Sequence, residues 1–181
     1  MTGERRNDMS GYVGGHMVQA GSVQGDVVID GAVQAQFEHA RALREERLSA
    51  YDGFLRLAAP LYKQVQDVAN LAVIVARHGG PQAIKYPSLG DRSAAARRSF
   101  EALRPLTEQV QMVGPDGAWE AARGVSANCL AVLLSSNTVL ETSGQLPHRW
   151  GRDHQRLMQN LANRMSQFRD EIRRVRQAPL L

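Results

Sequence analysis

The sequence predicts a mainly α-helical protein, an up-and-down bundle of about four helices preceded by a Gly-rich β-repeat that is flexible, hairpin-like or self-assembling. Apolar residues recur at steps of three and four from residue 37 to residue 175, which is the period of core-facing helices. Breaks rich in Gly and Pro divide this pattern into four segments joined by short loops. We therefore expect a disordered tail at 1–9, a β-repeat at 10–33 and a helical bundle at 36–178.

The β-repeat starts a new unit at Gly11, Gly21 and Gly31, and its first two units share Gly and Val at matching positions. Gly suits tight turns and Val suits strands, so these units are predicted to form short strands. Residues 17–29 contain no Pro and one charged residue, Asp26, which is typical of segments that stack on copies of themselves. The alternatives are a flexible tail and an ordinary hairpin docked on the helices. The residues expected to carry assembly are Val13, Val18, Gln19, Ala20, Gly21, Val23, Gln24, Gly25 and Val27.

A family resemblance lies in two segments of the repeat, Val18-Gln19-Ala20-Gly21 and Gly25-Asp26-Val27. They resemble the bacterial amyloid signalling sequences of actinobacteria, which share a Val-Gln-x-Gly core with the RIP homotypic interaction motif. Met17 stands where that family usually has Val, and Val28-Ile29 replaces a common ending of His and an apolar residue. Both changes keep the segment able to form strands.

The resemblance implies a role in homotypic signalling. In that family the motif is a terminal appendage that forms β-fold amyloid and templates the same motif on a partner protein. The implied partners are the chain itself and a protein carrying a matching motif, such as a nucleotide-binding sensor, in bacterial defence or regulated cell death. The helical part loosely resembles uncharacterised actinobacterial helical proteins of similar size, and that similarity names no activity.

The first two helices are predicted at about 37–77 and at 91–113, the second starting at Asp91 or Ser93. Pro60 is expected to kink the first helix or divide it in two. Gly and Pro residues in 79–90 predict a loop between the two helices. The core-facing stripe of the first helix is predicted to begin with Phe37, Ala40 and Leu43.

The third helix is predicted at about 117–140, with Asp116 as its cap. It is apolar around much of its surface, so we expect it to be the most buried helix and Cys129 to be a core thiol. Pro147 is predicted to open the fourth helix, whose apolar residues follow an almost strict four-three spacing. Such a seam suits a partner helix, either within the chain or in another copy. The seam residues are Trp150, Leu157, Leu161, Met165, Phe168 and Ile172.

The fourth helix is also basic, with eight arginines against three acidic residues between positions 149 and 176. Such a run is most often a solvated face, although it can attract nucleic acid or anionic lipid. No aromatic residues interleave with the arginines, and no helix-turn-helix or zinc-finger spacing occurs, so no specific nucleic-acid partner is predicted. The sequence neither supports nor excludes contact with a membrane surface.

No catalytic or metal-binding set of residues emerges, and no cofactor is predicted. His148 and His154 are the closest histidine pair, and their spacing of six residues does not place both on one helical face. Ser126, Ser135 and Ser136 have no base nearby in the sequence and are interpreted as helix-surface or packing residues. The N-terminal glycines lack the Gly-Lys-Ser/Thr ending of a phosphate-binding loop.

The polar N-terminus has no apolar core of a signal peptide and the chain has one Cys, which together predict a cytoplasmic location. The leading functional hypothesis is a non-enzymatic signalling or effector protein that assembles through residues 10–33. The alternative is a helical scaffold that oligomerises through the fourth helix and carries a decorative N-terminal hairpin. The scaffold hypothesis predicts that deletion of residues 1–36 leaves assembly unchanged.

Overall fold

A computed structural model describes residues 31–78, 88–142 and 146–179, and this part of the chain is built from four α-helices. The prediction of a mainly helical, four-helix protein is therefore confirmed there. The β-repeat predicted at 10–33 lies outside the described residues except for 31–33, which are helical instead. The helices are α1 (Gly31–His78), α2 (Ser88–Val113), α3 (Asp116–Glu141) and α4 (Trp150–Gln177).

Contacts between helix ends show that consecutive helices run antiparallel. Arg47 near the start of the packed part of α1 donates to the carbonyl of Val113 at the end of α2, at 2.8 Å. Ser93 near the start of α2 donates to the Asn137 side chain near the end of α3, at 2.6 Å. The start of α4 likewise contacts the end of α3 through its aromatic residues, as described below. The described helices thus form an up-and-down bundle.

Pro60 does not divide α1, which is one continuous helix of 48 residues. A proline removes one backbone hydrogen bond, and buried residues on both sides of it, Ala58 and Leu61, hold the helix against the core. Helix α2 begins at Ser88, earlier than predicted, because fully buried Leu89 packs into the core.

The starts of α3 and α4 also differ from the predictions. Asp116 is the first helical residue of α3, and Pro115 occupies the cap position without a side-chain hydrogen bond. Asp116 therefore places its negative charge in the first turn, where the helix dipole favours it. Pro147 does not open α4, since its carbonyl accepts a hydrogen bond from the Trp150 amide in the preceding turn, at 2.9 Å.

An aromatic cluster joins the first and last helices. Tyr51 and Phe54 of α1 contact Phe168 of α4, with ring centroids 5.8 Å and 4.6 Å apart. All three side chains are fully buried. Helix α3 has nine buried residues of 26, against six of 26 in α2 and five of 28 in α4. The prediction that the third helix is the most buried is confirmed.

The seam of α4 faces the other helices of the same chain. Leu161, Met165, Phe168 and Ile172 are buried, and Trp150 and Leu157 are half-buried against the same core. Of the two partners that the sequence allowed for this seam, the structure shows the one within the chain.

The start of α1 extends beyond the bundle. Phe37, Ala40 and Leu43 were predicted to begin the core stripe, but Phe37 is 40% exposed and the first buried residue of α1 is Ala50. Residues 31–43 precede Arg44, which donates to the carbonyl of Arg176 in the last turn of α4. This segment, called the stalk below, lies beyond the ends of α2 and α4 and is about 20 Å long at ~1.5 Å per residue.

Truncation of a seam residue should measure its part in the core. Because Leu161 is fully buried, Leu161→Ala should lower the free energy of unfolding by about 2–5 kcal/mol, measured by urea denaturation. Met112 is 78% exposed, so Met112→Ala should change it by less than about 0.5 kcal/mol. Equal stability of the parent and Leu161→Ala would contradict the packing of α4 described here.

Gly114 provides a second test, because it lets Tyr51 approach the junction of α2 and α3. A Cβ atom at Gly114 would lie 2.7 Å from the Val110 carbonyl oxygen and 2.9 Å from the Tyr51 hydroxyl. Gly114→Ala should therefore destabilise the fold by about 1–3 kcal/mol in thermal or urea unfolding. Gly53 is the matched control, since nothing lies within 4 Å of a Cβ there. Gly53→Ala should be neutral or stabilising by up to about 1 kcal/mol, and the same loss in both variants would refute the steric explanation.

Candidate ligand site between helices α1 and α4

A groove of about 710 Å³ lies between the second half of α1 and the first half of α4. Its volume falls within the range of small-molecule sites, roughly 300–1,000 Å³. Apolar side chains form most of its lining, including Val73, Leu146, Trp150 and Met158. Polar side chains that line it are Asn70, Arg77, His154 and Gln155. We call this set of residues the α1/α4 groove.

Helical spacing accounts for the two walls. On α1, Asn70, Val73 and Arg77 are three and four residues apart, which places them on one face. On α4, Trp150, His154 and Met158 recur every four residues and also share one face. Because α1 and α4 are antiparallel, the groove face near the end of α1 lies opposite the groove face near the start of α4.

Ser135 of α3 holds the first turn of α4 in position. The indole Nε1 of Trp150 donates to the Ser135 carbonyl at 2.9 Å. The Nδ1 atom of His154 lies 2.9 Å from the Ser135 hydroxyl. The two rings stack on each other with centroids 4.7 Å apart and planes 14° apart. Two contacts with Ser135 therefore fix the aromatic wall to α3, and the stacking fixes its two rings to each other.

His154 is a buried titratable group within this wall. It is 2% exposed, and its Nε2 atom has no hydrogen-bond partner among the described residues. Burial lowers the pKa of His154, because a charged imidazolium is poorly solvated there. The Ala69 carbonyl acts in the opposite direction and raises the pKa, without reaching hydrogen-bond geometry to Nε2. The ring is therefore neutral at neutral pH.

The pair of Ser135 and His154 does not have the geometry of a hydrolase. In a Ser-His-Asp triad the serine contacts Nε2 and a carboxylate holds Nδ1. Here Ser135 occupies Nδ1, does not line the groove, and no carboxylate among the described residues bonds to the His154 ring. The arrangement fixes the aromatic wall of the groove to α3.

The pattern of the sequence did not predict this pair, since all three serines were interpreted as helix-surface or packing residues. Ser136 bonds to the Val132 carbonyl of its own helix at 2.8 Å, and Ser126 lies 3.0 Å from the Thr107 hydroxyl. Only Ser135 reaches His154. The signal that could have found the pair was His154 itself, a polar residue placed in the apolar seam of α4.

Other candidate groups take structural roles. The described residues contain no group of three or more His, Cys, Asp or Glu able to hold a metal ion. Cys129 is buried as predicted, and burial raises the pKa of its thiol to about 12. Among the four described helices, none is both long enough and apolar enough to cross a membrane.

The arginines of α4 are partly paired at the end of the helix. Arg173 and Arg174 each contact an acidic residue three positions earlier, and Arg176 contacts Asp52 of α1 at 3.0 Å. These pairs are solvent-exposed, so each contributes about 1 kcal/mol or less. They support the interpretation of this face as a solvated surface.

The nine predicted assembly residues, Val13 to Val27, lie outside the described residues. Comparison with protein-family models, curated proteins and solved structures returned no match to this chain.

The buried His154 makes stability depend on pH. Its folded pKa lies below the unfolded value of 6.5, so the unfolded chain binds more protons below about pH 6.5. The contribution of neutral His154 to the free energy of unfolding is fully present above that pH, and it is lost as the pH falls toward the folded pKa. We expect the free energy of unfolding to decrease over this window in urea titrations.

His154→Gln should flatten this pH dependence, whatever its effect on stability at pH 7. His148→Gln, at an exposed histidine close in the sequence, is the matched control. A slope in His154→Gln equal to that of the parent would show that another group titrates.

Proposed function

We propose that this protein is a non-enzymatic signalling or effector protein that assembles through residues 10–30, in bacterial defence or regulated cell death. The observation that carries the proposal is the ten-residue repeat with its Val18-Gln19-Ala20-Gly21 core. The proposed partners are other copies of the chain and a protein with a matching motif, such as a nucleotide-binding sensor.

The stalk supports this proposal through the spacing that assembly requires. In-register strands repeat every ~4.8 Å along a fibril, whereas a single helix with its side chains is about 10–12 Å wide. Bundles attached directly to the strands would therefore collide. A repeat that supplies two rungs doubles the spacing to about 9.6 Å per chain, and a stalk of about 20 Å lets the bundles spread at a larger radius.

Assembly would act on the bundle by raising its local concentration. Chains held on one fibril meet each other at an effective concentration set by the linker, which can strengthen weak contacts by a factor of 10² to 10⁴. The bundle then needs no new binding surface in order to respond. This mechanism suits a chain whose arginine-rich face on α4 is exposed and only partly paired.

The alternative is a scaffold that oligomerises through the seam of α4. The burial of this seam within the chain does not favour it. Phe168 and Leu161 of that seam are fully buried against the other helices of the chain. A second copy could use the seam only by opening the bundle. No other observation favours the scaffold over the signalling protein.

Charge introduced into the motif should prevent assembly. Stacked copies of Gln19→Asp with Gly21→Asp place like charges every ~4.8 Å, where they repel strongly. We expect the full-length parent to give a thioflavin-T growth curve and fibre spacings of about 4.7 Å and 10 Å. The double variant should give neither signal, while its helical circular dichroism and melting temperature match those of the parent.

The matched control places the same two substitutions in the bundle. Gln64 is exposed and a Cβ at Gly53 meets nothing within 4 Å, so Gln64→Asp with Gly53→Asp should assemble like the parent. Fibre growth by the motif variant at the parental rate would refute the proposal. Assembly that persists after removal of residues 1–30 would instead favour the scaffold.

A further inference from the structure

We propose that the α1/α4 groove binds a small amphipathic carboxylate, with its apolar body along Val73, Leu146 and Trp150 and its carboxylate at Arg77. This site is separate from the N-terminal motif, and the proposal holds whether or not the chain assembles. Three features of the groove support it: its lining, its positive end and the unsatisfied histidine.

The lining selects an apolar body of moderate size. A groove of about 710 Å³ has room for a small organic molecule. Trp150 and Met158 offer large apolar surfaces, and the Trp150 ring is held rigidly by Ser135 and His154. A rigid wall loses little side-chain entropy on binding, which favours affinity.

The charge at the groove favours an anionic head group. Arg77 lines the groove, and no ion pair involves it among the described residues. The first turn of α4 reaches the same groove through Trp150 and Gly151, and its cap residue Arg149 makes no side-chain capping bond. The Trp150 amide already donates to the Pro147 carbonyl, so the attraction of this turn for negative charge comes from the helix dipole. Asp153 in that turn is exposed and does not line the groove, so it opposes this field only from outside.

His154 is the observation that distinguishes this groove from an ordinary surface depression. Its side chain lines the groove and is 2% exposed, and the Ala69 backbone interacts with the ring without completing a hydrogen bond to Nε2. A buried polar atom without a full hydrogen bond is costly and is often found at functional sites. The neutral ring also leaves Arg77 as the charged side chain of the groove, so the head group has one preferred end.

Direct titration with decanoate tests the proposal. The chain would carry Gln19→Asp and Gly21→Asp to prevent assembly, and Trp119→Phe so that fluorescence reports Trp150 alone. We expect a saturable change with decanoate, and binding at least about fivefold weaker with decanol, which lacks the charge. Arg77→Gln should weaken decanoate binding by about fivefold, whereas Arg56→Gln, on the same helix outside the groove, should not.

A blocking variant checks the location. A Cβ at Gly151 meets nothing within 4 Å although Gly151 lines the groove, so Gly151→Leu should obstruct the groove without unfolding α4. Gly53→Leu is the control, because its Cβ also lies in open space but far from the groove residues in sequence. Decanoate binding should be lost in the first variant and retained in the second.

The proposal would be overturned by no saturable response, by equal binding of decanol and decanoate, or by parental binding in Gly151→Leu. Loss of binding in Gly53→Leu as well would also overturn it, because the effect would then not be local to the groove. None of these results bears on fibre formation, so failure here is distinguishable from failure of the assembly proposal.

Discussion

The packing of Tyr51 and Phe54 against Phe168 is the contact on which the rest of the structure depends, since it joins the first helix to the last. Aromatic side chains bury a large apolar area per residue, so a contact among three of them buries much apolar surface. Fixing this pair of antiparallel helices at one point also fixes them further along. His154 lies fourteen residues before Phe168 on α4, and Asn70 lies sixteen residues after Phe54 on α1. Each pair is therefore separated by about 21–24 Å along its helix. The two walls of the groove are therefore brought together by a contact at the opposite end of the bundle.

Hydrogen bonds between polar side chains add to this apolar packing. Ser135 anchors Trp150 and His154 to α3, and Ser93 bonds to Asn137 between α2 and α3. Each such pair satisfies groups that would otherwise be buried without partners, so it specifies the register of neighbouring helices as well as stabilising them. The Nε2 atom of His154 is an exception, and it lies in the wall of the groove.

The two ends of the molecule suit different tasks. The stalk leaves the bundle beside the last turns of α2 and α4, close to the contacts of Arg44 and Arg47. The α1/α4 groove lies near the other end of α1, around Arg77. A ligand in the groove and an assembly beyond the stalk would therefore act on the same long helix from opposite ends, and α1 is the element that any coupling between them would have to use.

The sequence predicted the four described helices, their order and most of the core, because apolar residues three and four positions apart give each helix one core-facing side. It also carries the repeat that supports the assembly proposal. It could not place the helix ends, since Leu89 extends α2 through burial and Phe37 is 40% exposed in the described part of the chain. It could not find the groove either. Ser135 and His154 are nineteen residues apart on different helices, and only tertiary packing decides which faces of two helices meet.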